Sequence, residues 1–154
     1  MSEPVRHPTF LSRILGGLWF GAGVFILIVA PAVFASAGSP TSAANVVGAM
    51  LTRWHYISLL VPAILLVTEW RNARGRIVAL LFTGVLLATS AAMIDMRIRQ
   101  IREQSPVPIS SLAASNPLRR RFGMLHGVSS LLLIAQVLAA AALLAMDRQP
   151  STSP

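Results

Sequence analysis

The chain contains no cysteine, which excludes disulfide bonds, thiolate metal sites and cysteine nucleophiles. Lysine is also absent: all thirteen basic residues are arginines, against five acids. Aromatic side chains account for only 6% of the 154 residues. A net charge of +8 would suit a nucleic-acid partner, but that function also needs interleaved aromatics or a recognition fold on a soluble surface. We therefore expect no nucleic-acid partner.

Apolar residues, by contrast, make up 55% of the chain, and its mean hydropathy is +0.68. They fall into four blocks, each long enough to cross a hydrocarbon layer of about 30 Å as a helix. A chain of this length is expected to form one domain. The sequence therefore predicts an all-α, multi-pass membrane protein: an antiparallel up-and-down bundle of four transmembrane helices in a lipid bilayer.

The predicted membrane domain covers residues 14–146 and lies between a polar leader, 1–13, and a disordered tail, 147–154. The first apolar block has some features of a cleaved signal peptide, but it is longer than the roughly 7 to 15 residues of a signal-peptide core. We expect it to be retained as a helix. The four helices are predicted at about 14–35, 44–70, 76–103 and 119–146.

Most arginines flank the apolar blocks, where helix ends would meet lipid headgroups. Because four spans place both termini and the central loop on one membrane side, the arginine count is tied between the sides and gives no overall orientation. The flanks of the first helix alone favour a cytoplasmic N-terminus. The tied sets are Arg6, Arg13, Arg71, Arg74, Arg76 and Arg148 on the N-terminal side, and Arg97, Arg99, Arg102, Arg119, Arg120 and Arg121, with Arg53 nearby, on the other.

Two glycines spaced four residues apart, Gly17 and Gly21, lie on the predicted first helix. Such a pair of small residues lets a neighbouring membrane helix approach closely. We predict that they form a helix-packing site, and a glycine-rich first helix also suits association with a second copy or with another membrane protein.

Three ionisable residues are predicted to converge on one membrane side: His55 in helix two, Asp95 late in helix three and His126 early in helix four. Ionisable groups inside a bilayer are costly unless they are paired or hydrated, so they mark candidate functional sites. Two imidazoles with a carboxylate suit a divalent metal, two opposed histidines suit haem, and a histidine with an aspartate suits a proton relay.

A purely structural role is the alternative for these residues. The histidines would then form interhelical hydrogen bonds, and Asp95 would pair with Arg53 or with an arginine of helix three. On helix four, Ser129 and Gln136 follow His126 along one polar stripe. We predict a polar network that includes Arg53, Ser129 and Gln136.

The sequence contains none of the spacing motifs of zinc proteases, serine hydrolases or P-loop nucleotide-binding proteins, so we expect no enzymatic activity. The favoured interpretation is a non-enzymatic membrane scaffold or accessory module. One alternative is a metal- or haem-binding membrane protein that uses His55 and His126. The other is a small transporter or proton-coupled carrier lined by Asp95 and the histidines, which would need a homo-oligomer because four helices enclose little room.

Four stretches of the sequence carry a family pattern: LWFGAGVFILIVAPAVF, MLTRWHYISLL, IDMRIRQIRE and RRFGMLHGVSSLLLIAQ. They resemble the transmembrane protein 205-like family, which is also known in bacteria as a four-helix membrane domain of unknown function. The resemblance implies four membrane helices, a place in the bacterial cytoplasmic membrane and no established biochemical activity. The matching positions are Trp19, Gly21, Phe25, Pro31 and Phe34 in helix one, and Phe122, Leu125, His126, Ser129 and Gln136 in helix four, where Leu133 replaces an expected asparagine.

Overall fold

The computed structural model describes residues 10–70 and 75–146. They form four long helices, and a short 3₁₀ turn at Ile109–Ser111 lies in the loop between the last two. The predicted tail, 147–154, and most of the predicted leader, 1–13, lie outside the described residues. The helices are α1 at Phe10–Ser36, α2 at Pro40–Glu69, α3 at Gly75–Gln104 and α4 at Pro117–Met146.

The four helices form a closed ring in which each helix packs against its two neighbours: α1 on α2, α2 on α3, α3 on α4, and α4 back on α1. Each helix contains a window that is long and apolar enough to cross a membrane. Short connections between consecutive helices give the antiparallel order of an up-and-down bundle. The predicted fold class, an all-α bundle of four transmembrane helices, is confirmed.

All four helices begin before their predicted starts, and at α2 and α4 a cap and a proline define the start. At α2, the Ser39 hydroxyl accepts a hydrogen bond from the Ser42 amide at 3.1 Å, and Pro40 is the first helical residue. At α4, the Asn116 side chain accepts from the Leu118 amide at 2.9 Å, just before Pro117. A polar cap followed by proline is a recognised helix start. The predicted starts at 44 and 119 assign these cap and proline residues to the loops.

The outer surface of the bundle is apolar, as a lipid environment requires. Large hydrophobic side chains on all four helices are more than half exposed, which would be costly for a protein in water. A bilayer removes this cost because lipid tails are as apolar as the side chains that face them. Examples, one from each helix, are Phe25, Leu60, Phe82 and Leu131.

The core of the bundle is built around two tryptophans. Trp19 on α1 and Trp54 on α2 are 0% and 1% exposed. The ring of Trp19 lies against Gly84 on α3, and the ring of Trp54 lies against Gly23 on α1. A methyl group at either glycine would lie less than 3 Å from an indole carbon, so each ring needs a glycine opposite it.

Gly17 and Gly21 do not form the predicted helix-packing site within the bundle. A Cβ atom at either position would meet nothing within 4 Å, so both glycines lie on the outer face of α1. The close approaches of α1 are made by Gly16, next to Leu144, and by Gly23. Contact of Gly17 and Gly21 with another membrane protein stays a prediction.

Candidate polar site between helices α2, α3 and α4

The central feature of the site is an imidazole–carboxylate pair between neighbouring helices. His55 on α2 and Asp95 on α3 approach with 3.5 Å between Nε2 and Oδ2. Their side chains are only 14% and 12% exposed. It is the one pairing of a basic with an acidic side chain within ion-pair distance in the part of the chain that the structure describes. The most buried acid of this region therefore has a histidine, not an arginine, as its partner.

A third helix contributes to the same carboxylate. The Ser129 hydroxyl on α4 donates a hydrogen bond to Asp95 Oδ1 at 2.8 Å. Each oxygen of Asp95 thus faces a different helix, Oδ2 towards α2 and Oδ1 towards α4. Satisfying both oxygens lowers the cost of placing a carboxylate among apolar helices. Asp95 is the residue that joins three helices at one point.

The pair lies inside the bundle, closer to one end than to the other. Asp95 is nine residues from the end of α3 at Gln104, or about 14 Å along the helix. The four helices have 27 to 30 residues, so each is roughly 40–45 Å long and exceeds a hydrocarbon layer of about 30 Å. The site is therefore within the membrane but within reach of one surface.

Polar contacts continue from the pair towards that surface, along the interface of α2 and α3. One turn beyond Asp95, an Nη2 group of Arg99 donates a hydrogen bond to Thr52 Oγ1. Closer to the helix end, Arg102 Nη2 donates to Asn45 Oδ1 at 3.2 Å. Together these contacts form a line of polar side chains between the buried pair and the aqueous end of the bundle. Such side chains can hydrogen-bond to water.

Beyond the pair, most of the buried side chains are apolar. They include Trp19, Leu65 and Leu81, each at most 1% exposed, and the buried polar residues Ser58 and Gln136 lie among them. The polar contacts therefore occupy one end of the α2–α3 interface, which we call the cleft, and mostly apolar side chains occupy the other end.

The predicted meeting of His55, Asp95 and His126 is wrong for His126. His126 is exposed, and its ring stacks on Phe122 with 6.0 Å between ring centroids and 6° between ring planes. Positions 126 and 129 differ by about 60° around the helix axis, and α4 directs position 129 towards Asp95. Within the described residues no three His, Asp or Glu side chains are placed to share a metal ion. The described side chains therefore do not form the predicted three-ligand metal site, and haem binding by His55 and His126 stays a prediction.

Two other members of the predicted polar network also lie elsewhere. Arg53 is exposed and donates to the Ala49 carbonyl of its own helix at 3.1 Å. Gln136 is 0% exposed and donates through Nε2 to the Leu132 carbonyl at 3.1 Å, two turns beyond Ser129. Of the three network residues, only Ser129 belongs to the site.

Asn45, Thr52, Arg99 and Arg102 are polar residues of the cleft that the sequence interpretation did not assign. Their spacing carried a usable signal, because Asn45, Thr52 and His55 are seven and three residues apart and so share one helix face. Asp95, Arg99 and Arg102, at intervals of four and three, do the same on α3. Two polar faces on consecutive antiparallel helices predict a line of polar contacts between those helices.

A family model described as a "Domain of unknown function (DUF4149)" matches residues 14–106. The match includes α2 with His55 and all of α3 with Asp95, and it ends before α4 and Ser129. No curated protein and no solved structure matches the chain. Because the matched residues are more than half of the sequence, this protein belongs to the family of the Domain of unknown function (DUF4149).

Proposed function

We propose that the protein is a non-enzymatic membrane module whose His55–Asp95–Ser129 site binds and releases a proton from one side of the bilayer. The observation that carries the proposal is the 3.5 Å contact between His55 Nε2 and Asp95 Oδ2 inside a helical bundle. Ionisable residues are rare in membrane helices, and where they occur they mark proton or ion pathways more often than simple packing contacts. The polar contacts of Arg99 and Arg102 lie between the pair and one end of the bundle, on the side from which a proton would arrive.

Protonation of this pair would act on the packing of α2 against α3. Imidazole can exist neutral or protonated, so the contact would alternate between a neutral imidazole beside a carboxylate and an ion pair. The two forms differ in strength because an ionised pair in a low-dielectric site attracts far more strongly than a neutral one. Proton binding would therefore change how tightly α2 packs against α3. An accessory subunit can transmit a signal to a partner through such a change in helix packing.

The order of the three side chains favours proton binding over catalysis. In a serine hydrolase the histidine lies between serine and aspartate and takes the proton of the hydroxyl. Here Asp95 lies in the middle, and the Ser129 hydroxyl donates to the carboxylate instead of to His55. Ser129 thus has no imidazole base to activate it, which supports a non-enzymatic role.

The core beyond the pair argues against a path through a single copy of the chain. Mostly apolar side chains of the core, including Trp19 and Leu65, occupy the bundle beyond the pair. A transporter would need a path between copies, whereas proton binding from one side needs only the cleft.

The setting that we propose is the bacterial cytoplasmic membrane, with a second copy or another membrane protein as partner. The resemblance to the transmembrane protein 205-like family supports this setting, and its helix-four positions include Ser129, which lies outside the matched residues 14–106. Gly17 and Gly21 on the outer face of α1 are available for contact with a further helix.

Histidine NMR of the ¹⁵N-labelled protein in lipid nanodiscs tests the proposal. The chain has three histidines, so the signals are assigned by His55→Gln and His126→Gln. We expect the His55 signal to change with pH between its neutral and protonated forms, and Asp95→Asn to alter that response. The signal of exposed His126 should be the same in wild type and in Asp95→Asn. A His55 signal that keeps one protonation state, or that ignores Asp95→Asn, would overturn the proposal.

A further inference from the structure

A second candidate site lies at the mouth of the cleft, between α2 and α3. An open cavity of about 330 Å³ is lined by Asn45, Arg99, Arg102 and Glu103. Arg99, Arg102 and Glu103 follow one another at intervals of three and one on the last turns of α3. The cavity is thus polar and charged, and it lies where α3 leaves the hydrocarbon layer.

The two arginines of the cavity are held in place yet retain most of their donors. One guanidinium nitrogen of each arginine donates a hydrogen bond to α2, from Arg99 to Thr52 and from Arg102 to Asn45. A guanidinium carries five N–H donors, so several remain on each side chain. Neither arginine has a carboxylate within ion-pair distance among the described side chains. Two fixed cations that lack a protein anion suit a phosphate group, which arginine binds through paired hydrogen bonds.

Glu103 adds the opposite charge to the same cavity. It is four residues beyond Arg99 and adjacent to Arg102, and it has no ion-pair partner among the described residues. A simple anion would be repelled by this carboxylate, whereas a ligand that carries both a phosphate and an ammonium group would satisfy all three side chains. The charge pattern is that of a zwitterion binding site.

We propose that this cavity binds the headgroup of a phosphatidylethanolamine-type lipid, with its phosphate at Arg99 and Arg102 and its ammonium group at Glu103. A lipid fits better than a free phosphate ester because exposed Met96, one turn before Arg99, and exposed Met93, one turn before Met96, lie on α3 in the direction of the hydrocarbon. Their side chains are 58% and 59% exposed and offer an apolar track to an acyl chain. Basic pockets between membrane helices are known headgroup sites. The inference does not depend on proton binding by the His55–Asp95 pair.

Native mass spectrometry of the detergent-purified protein with added lipids tests the site. Wild type is expected to retain phosphatidylethanolamine in preference to phosphatidylglycerol. The double variant Arg99→Gln/Arg102→Gln should bind phosphatidylethanolamine at least about tenfold more weakly, because two charge-assisted contacts are lost. The matched control is Arg120→Gln/Arg121→Gln, which removes two exposed arginines outside the cavity at the same end of the bundle and should leave binding unchanged. Equal losses in both double variants would overturn the site.

Glu103→Gln provides a test that does not disturb the contacts between α2 and α3, so it decides the question if the double arginine variant fails to fold. It should lower the preference for phosphatidylethanolamine over phosphatidylglycerol several-fold, and an unchanged preference would overturn the role of Glu103. Competition with soluble O-phosphoethanolamine and inorganic phosphate separates the sources of the ligand. Displacement of the lipid by either one at comparable concentration would overturn the lipid assignment in favour of a free phosphate.

Discussion

At the scale of single residues, Asp95 is the centre of the site because it contacts side chains of two other helices, His55 of α2 and Ser129 of α4. We expect Asp95→Ala to lower the free energy of unfolding by about 1–3 kcal/mol, since His55 and Ser129 would each lose a buried partner. Asp95→Asn should cost less, because an amide oxygen still accepts from the Ser129 hydroxyl. Thermal or denaturant unfolding in a mild detergent measures the difference.

Thr83→Ala is the control for this prediction. Thr83 is exposed on the same helix, and its hydroxyl donates only to the Ala79 carbonyl of its own backbone. Its removal should change stability by much less than Asp95→Ala does. If Asp95→Ala proved no more destabilising than Thr83→Ala, the carboxylate would not be joining the three helices.

At the scale of helices, the sequence predicts the spans well and their rotations poorly. Length and hydropathy alone define the spans, because the bilayer has a fixed thickness. The rotation of a membrane helix leaves a weaker trace, since its lipid-facing and core-facing sides are both apolar and only small or bulky residues distinguish them. For this reason the sequence brings His55 and Asp95 to the same end of the bundle but does not distinguish His126 from Ser129 as the residue of α4 that contacts Asp95.

Close contacts between glycines and tryptophan rings set the rotations of α1 and α3. Alanine substitutions at glycines inside and outside these contacts therefore give a matched prediction. Gly23→Ala would place a Cβ 2.8 Å from a ring carbon of buried Trp54, and Gly84→Ala would place one 2.7 Å from a ring carbon of Trp19. Each should lower the free energy of unfolding by about 1–3 kcal/mol, because a buried indole has little room to move. Gly17→Ala and Gly21→Ala should be neutral or slightly stabilising, since both face open space and alanine favours a helix.

Unfolding of the four alanine variants in the same detergent checks this pattern. Circular dichroism of the folded proteins controls for loss of helix. If Gly17→Ala or Gly21→Ala destabilised the protein as much as Gly23→Ala, the outer face of α1 would be in contact with another helix, for example in an oligomer. Equal tolerance of all four substitutions would contradict the close packing of the tryptophans.

At the scale of the whole molecule, the bundle is asymmetric along the membrane normal. The loops 37–39 and 105–116 lie at the end where the cleft opens, and the start of α1 and the end of α4 lie at the other end. The arginine counts are tied between the two ends, so total charge does not orient the protein, whereas the first helix has arginines on its N-terminal flank alone. We therefore predict a cytoplasmic N-terminus, with the cleft open to the opposite compartment.

Labelling with a membrane-impermeant maleimide tests this orientation, and the absence of native cysteine gives an unlabelled wild type as control. Gly38→Cys and Ala114→Cys, both at exposed positions, should react in intact bacterial cells, and Ser2→Cys should react only after lysis. Reaction of Gly38→Cys and Ala114→Cys from opposite sides would contradict the up-and-down bundle itself. Protection of both until lysis would keep the bundle but reverse it, so that the His55–Asp95 pair would exchange protons with the cytoplasm.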